Sequence, residues 1–234
     1  MYDPLPRERI SDMMSYGGGS EVLALQLICF TVLTFSAVST YSQTVVTFDD
    51  LSETGSGSFL PTSYQGLTWS NFWCNNAILF TNVLAHLYYG APSNGLSGNF
   101  YGMVSPSNVA YNAAGGSAEI DSPGTNFNFL SVYLTGMWNS NLNIQVDGFN
   151  GAQEIYNTIV VASATNSTLF NFNYLDINRL YFDSYGGEPA FDGINETHFV
   201  MDNFTFDFIP EPSTFLLTAI AGVSLVTFLR RRRT

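Results

Sequence analysis

Between Gln43 and Ile209 the apolar residues come only in short, often alternating runs, cut every few positions by Gly, Pro, Asn or Ser. A helix that buries one face needs apolar residues at helical spacing over ten or more positions, and no stretch of this segment supplies them. Period-two alternation instead predicts strands. They are expected at Thr44–Phe48, Gly66–Phe72, Ala77–Phe80, Phe127–Leu134, Leu142–Val146, Glu154–Val161, Leu169–Asn173, Asn178–Phe182 and Phe199–Phe208. Asp147-Gly148 and Asn150-Gly151 mark a hairpin. Many short strands at regular spacing read as an all-β domain, an antiparallel β-sandwich or jelly-roll-like fold over residues 43–209. Aromatics at 15% favour strands, and the segment has neither an internal repeat nor a linker long enough to divide it.

Charge narrows the partners. Only 11% of residues are charged, and no lysine occurs. Ordinary domains carry about 25%. Between Gln43 and Ile209 one arginine, Arg179, faces 14 Asp and Glu, a formal charge of −13. Such a surface repels phosphate backbones and excludes nucleic acid, while suiting divalent cations or neutral polymers. Cys29 and Cys74 make no disulfide framework; Cys74 reads as a small buried apolar residue.

The two ends read as addresses. Val22–Val38 is an apolar stretch of signal-peptide length, so residues 1–42 form a signal region. Small residues place cleavage by signal peptidase after Ser39 or Ser42, with an uncleaved N-terminal anchor as the alternative. Met13 or Met14 could be the initiator, at the cost of removing Arg7 and Arg9 from the leader. Ile28 stands before Cys29, where a lipoprotein signal needs a small residue.

Residues 210–234 form a tail of three parts: Pro210-Glu211-Pro212, the uncharged apolar run Phe215–Leu229, and Arg230, Arg231, Arg232 and Arg233. With the residues before it, the run approaches the ~20 positions that a single transmembrane helix needs, and the arginines hold its end in the cytoplasm. Pro210 and Pro212 keep the junction extended and open to a processing enzyme. This tail resembles the PEP-CTERM sorting signal, the substrate sequence of exosortases in Gram-negative bacteria that make extracellular polysaccharide. The resemblance implies passage through the inner membrane, removal or transfer of the tail, and residence at the cell surface or in the extracellular matrix, often with exopolysaccharide or biofilm. The segments Phe48-Asp49-Asp50-Leu51, Tyr64–Phe72 and Met201-Asp202-Asn203 look like those of many PEP-CTERM surface proteins. That likeness implies a sandwich whose first and last strands lie together, with the tail leaving from the last.

Catalytic patterns do not emerge. His86 and His198 stand apart without a motif, Gly115-Gly116-Ser117 is no nucleophile elbow, and no HExxH, CxxC or phosphate loop occurs. The expectation is a non-catalytic surface protein, with a carbohydrate-binding module as the alternative; an exposed aromatic row across one sheet face would favour that alternative. Trp69, Trp73, Tyr88, Tyr89, Tyr101, Trp138 and Tyr185 are the candidates for sugar stacking, with Tyr88-Tyr89 and Trp138 expected to be exposed. The Asn-x-Ser/Thr triplets at Asn166, Asn195 and Asn203 carry little weight in a bacterium. One metal site is expected: Asp49 and Asp50 after the first strand, with Asp202 and Asn203 in the last, offer oxygens to calcium if those strands pair. A weaker cluster is Asp183, Glu188 and Asp192.

Overall fold

The structure is a computed structural model describing residues 42–80, 97–191 and 194–209, with the helical positions Ile220, Gly222, Ser224 and Phe228 beyond them. The unit Tyr41–Pro212 carries every strand among the described residues. Two antiparallel sheets make it a β-sandwich. The first sheet contains β1 (Thr44–Val46), β2 (Ser58–Phe59), β5 (Phe72–Asn76), β6 (Asn108–Asn112), β8 (Phe127–Gly136), β12 (Thr168–Ile177) and β15 (Phe199–Phe208). Its order is β12-β8-β15-β6-β5-β2, with β1 also on β15. The second sheet, in the order β11-β10-β13-β7-β4-β3, contains β3 (Ser63–Tyr64), β4 (Leu67–Ser70), β7 (Ala118–Asp121), β10 (Leu142–Asn150), β11 (Gln153–Ala162) and β13 (Arg179–Tyr185). A two-stranded ribbon joins β9 (Asn139–Ser140) to β14 (Glu188–Pro189).

β15 is the spine of the first sheet. β8 pairs along nearly its whole length on one side. On the other side β6 takes Val200 and Met201, and β1 takes Phe204, Thr205 and Phe206. The first and last strands therefore lie together as expected. Alternation sends Phe199 and Met201 into the core between the sheets, while Val200 faces out. Asn203, with φ +51°, sits where the register against β8 shifts; this bulge resets the alternation so that Phe204 and Phe206 point inward again. Phe204 stacks on Phe129 at 4.9 Å and meets Trp69 of the opposite sheet edge-on at 5.4 Å. Phe72 reaches Phe182 across the sandwich at 6.1 Å. Burying so many rings between two sheets supplies the main drive to fold.

Predicted strands and observed ones agree at β1, β8, β10, β11, β12, β13 and β15, with small differences at the ends. The hairpin forms between β10 and β11 with Gly151 at φ +61° in its turn, while Asp147-Gly148 stays inside β10 beside a bulge. Two expectations need correction. The run Gly66–Phe72 is not one strand: Asn71 at φ +59° ends β4, and the chain passes into β5 of the other sheet. The Asn71 side chain secures that corner by donating to the carbonyls of Ala113 (3.2 Å) and Ser117 (2.8 Å). Ala77–Phe80 is helical rather than a strand. Asn76 caps it, its Oδ1 accepting from the N–H of Leu79 at 3.0 Å, and Ala77 and Phe80 bury while Ile78 and Leu79 stay exposed.

A second, smaller core lies on the outer face of the first sheet. Val109 and Val200 project there and pack with Ala77, Phe80, Met137, Trp138, Ala164 and Phe191. The helical turn at 77–80 and the short helix α1 (Gly98–Gly102) help to cover them. Gly98 lies so close to the Gly136 carbonyl that a Cβ there would come within 1.9 Å, so only glycine lets α1 settle on β8. Among the described residues no helix is long and apolar enough to cross a membrane. Most of the expected transmembrane helix, Phe215–Leu229, lies outside them, as does the signal region up to Tyr41.

Candidate functional site

Beyond the edge of that second core, the outer face of the first sheet becomes aromatic. Phe59 of β2 stands opposite Trp73 of β5, Trp73 opposite Tyr111 of β6, and Tyr111 opposite Val200 of β15. Directly opposed residues share a face of the sheet. Phe72 and Cys74 both enter the main core, which sends Trp73 outward. The result is a row of rings across three strands, with centroids 4.7 Å apart from Phe59 to Trp73 and 6.4 Å from Trp73 to Tyr111. His198 continues the row, 6.3 Å from Tyr111. Phe59 is 65% exposed, a large ring left in solvent, whereas Trp73, Tyr111 and His198 are half-buried.

These rings line a groove of about 770 Å³, whose other walls include Asn71, Phe80, Ala114 and Glu196. That volume falls within the range of about 300–1,000 Å³ common to ligand sites. The segment carrying Glu196 and His198 is fixed by its neighbours. Thr197 Oγ1 donates to the Gly115 carbonyl at 3.2 Å, and the N–H of Phe199 donates to Asn112 Oδ1 at 2.7 Å. Asn112 Nδ2 in turn donates to the Gly116 carbonyl at 2.9 Å. Burial holds the His198 imidazole below its ordinary pKa, against the opposing pull of the Glu196 charge, so the ring is neutral at neutral pH. Its Nδ1 is buried without a hydrogen-bond partner. Among the described lining residues Glu196 is the one carboxylate, and there is no lysine or arginine.

Such a surface suits a flat, partly apolar ligand rich in hydroxyls. The C–H face of a sugar ring packs on an aromatic face, while Asn71, Glu196 and His198 offer hydrogen bonds at the rim. Among the described aromatics expected to stack on sugars, only Trp73 is in this groove. Trp69 is 3% exposed and Trp138 fully buried, each in a core, which corrects the expectation that Trp138 is exposed. Tyr101 packs parallel to Phe191 at 6.4 Å, Tyr185 is exposed at the end of β13, and Tyr88 and Tyr89 lie outside the described residues. Phe59, Asn71, Tyr111, Glu196 and His198 were not foreseen as site residues. The sequence gives only a faint cue, since Phe59 lies outside every predicted strand and β6 went unrecognised.

The residues expected to bind calcium each have other work. Asp49 Oδ1 accepts from the N–H of Asn108 at 3.0 Å. Asp50 accepts from the Tyr64 hydroxyl and, at 3.3 Å, from Gln65 Nε2. Asp202 Oδ2 accepts from the N–H groups of Val104 and Ser105 at 2.7 and 2.8 Å, and its Oδ1 from the N–H of Asn203 at 2.7 Å. Among the described residues no group of three or more His, Cys, Asp and Glu could hold a metal ion, so the expected convergence of Asp49, Asp50, Asp202 and Asn203 is not met. The physical reason is Phe48: at φ +63° it turns the chain off β1 before Asp49 and Asp50 can run beside β15. In the weaker cluster, Asp183 accepts from Ser117 Oγ at 3.1 Å, and Asp192 lies outside the described residues. Cys74 is a free, fully buried thiol, its pKa pushed up by burial and by nearby carboxylates. Pro210, Glu211, Pro212 and Arg230–Arg233 lie outside the described residues.

No protein-family model and no curated protein matches the chain. Solved structures similar to it include a DUF4465 family protein from Bacteroides ovatus, at 10% identity and a TM-score of 0.43, covering 72% of this chain and all of that one. Another is a CBM4 protein, at 15% identity and a TM-score of 0.28, covering 43% and 71%. A third, TmCBM61 in complex with β-1,4-galactotriose, has 7% identity and a TM-score of 0.27, covering 76% and 94%. Likenesses this slight carry no argument about fold or ligand.

Proposed function

We propose that this chain is an exported, non-catalytic surface or matrix protein whose sandwich binds carbohydrate in the aromatic groove. The observation that carries the reading is the row Phe59–Trp73–Tyr111, aligned by strand register along a groove on one sheet face, with Phe59 exposed. Large exposed rings cost a soluble domain hydrophobic free energy, and they persist where a ligand covers them. Binding without catalysis fits the lining. Hydrolysis of a glycosidic bond needs two carboxyl groups flanking it, and among the described lining residues Glu196 is the one carboxylate.

Export and sorting belong to the same proposal and rest on the two ends of the sequence. Signal peptidase would release the N-terminus, and an exosortase would act at Pro210-Glu211-Pro212 while the apolar helix and Arg230–Arg233 sit in the inner membrane. The domain would then hold polysaccharide outside the cell, at the surface or in the matrix. The test is retention of the full chain, in detergent, on a panel of immobilised polysaccharides. Retention by at least one, lost in Trp73→Ala and Tyr111→Ala variants of unchanged melting temperature, supports the reading. Failure to bind any of them, or equal binding by the variants, overturns it.

A further inference from the structure

The groove holds an unanswered charge. Glu196 lines it, and among the described residues the ion pair is Arg179 with Glu119, elsewhere on the second sheet. Arg179 is also the sole lysine or arginine between Gln43 and Ile209, so no other Lys or Arg of the domain answers Glu196. His198, the one other titratable cation in the lining, is kept neutral by its burial. The field of the whole domain has the same sign, with its formal charge of −13.

Resting on the reading of the groove as a glycan site, we propose that its preferred ligand is a glycan bearing free amino groups, with an ammonium of the sugar set between Glu196 and the faces of Trp73 and Tyr111. Three properties converge on that class. An aromatic face attracts a cation through its quadrupole, and an ammonium-bearing sugar presents both a C–H face and a cation to the same row. A carboxylate at the rim forms a charge-assisted hydrogen bond to ammonium, stronger than one to a hydroxyl. The acidic surface concentrates a polycation and repels polymers of uronate, sulfate or phosphate. A neutral glycan uses the rings but gains nothing from the charge of Glu196.

Calorimetric titration of the full chain tests this with three oligosaccharides of equal length. They are a β-linked N-acetylglucosamine oligomer, its de-N-acetylated form and a uronate oligomer. The expected order at low salt is amine above N-acetyl by about tenfold, equivalent to ~1.4 kcal/mol, with no measurable uronate binding. The ratio should shrink at about 0.5 M salt, where screening is short-ranged. Glu196→Gln, which keeps the shape and removes the charge, should bring the ratio close to one. Glu154→Gln on the exposed strand β11, which removes the same negative charge elsewhere, should leave it in place. Equal affinity for the amine and N-acetyl forms overturns the proposal while leaving the groove as a sugar site. A preference untouched by Glu196→Gln overturns it too, assigning the effect to bulk charge. Binding of none of the three overturns it, and the reading beneath it falls as well only if no polysaccharide of the panel is retained.

Discussion

Asp202 is fully buried in β15 and binds the 104–105 loop through its carboxylate. Burial raises its pKa from 3.8 to about 6, although three backbone N–H groups pull the other way. A carboxyl that takes up its proton more readily folded than unfolded makes the fold lose stability as pH rises from about 4 to about 6. At about 1.4 kcal/mol per pKa unit that loss is up to ~3 kcal/mol. Burial shifts Glu119, Asp121 and Asp147 in the same direction, while His198 acts oppositely below pH 6.5. Urea unfolding from pH 4 to 7 should therefore show a slope that Asp202→Asn largely flattens. The variant's overall stability should fall by about 1–3 kcal/mol, because its amide cannot accept every bond. An unchanged slope would show that Asp202 stays ionised throughout. In the sequence this residue reads as a metal ligand, because Asp49-Asp50 after one strand and Asp202-Asn203 within its partner are visible while loop contacts are not. Which backbone amides a carboxylate meets depends on where the chain returns, and no local pattern encodes it.

At the scale of elements, the decisive positions are those where a strand ends. Asn71 holds a left-handed conformation at the β4–β5 corner and ties it to the 113–117 turn. Asn71→Gly loses the two bonds but keeps the conformation; Asn71→Ala loses both. The glycine variant should thus be more stable than the alanine variant by about 1 kcal/mol in thermal or urea unfolding, and the reverse order would contradict the account. The long strands were legible because alternation persists through them, as in Phe199–Phe208, where even the bounds agree. β5, β6 and β7 were not. They are four or five residues long, and Asn108, Asn75 and Asn112 are polar residues buried by tertiary contacts rather than placed by pattern. Ala77–Phe80 reads apolar enough for a strand until Asn76 is recognised as a helix cap. Because β2, β5 and β6 carry the groove, the least legible strands were the ones that form the site.

For the whole molecule, the proposed function joins a sandwich with an aromatic groove to two terminal segments proposed as export and sorting signals. The addresses make their own prediction: deleting Arg230–Arg233 should leave unprocessed or misoriented protein, and replacing Glu211 should block processing without preventing membrane insertion. Mass spectrometry of the protein recovered from cells reads both. The same mature mass and location for tail-deleted and intact chains would remove exosortase from the account. The groove is tested most directly by light. Of the three tryptophans, Trp69 and Trp138 are buried in the two cores and Trp73 alone faces the groove. Tryptophan emission of the full chain, titrated with a glycan it retains, should show a saturable change as the sugar covers Trp73. In Trp73→Phe, which keeps a ring for stacking, that change should vanish while calorimetry still registers binding. A glycan that binds with no change in emission, or a change that survives Trp73→Phe, would place the sugar elsewhere and contradict the assignment of this groove.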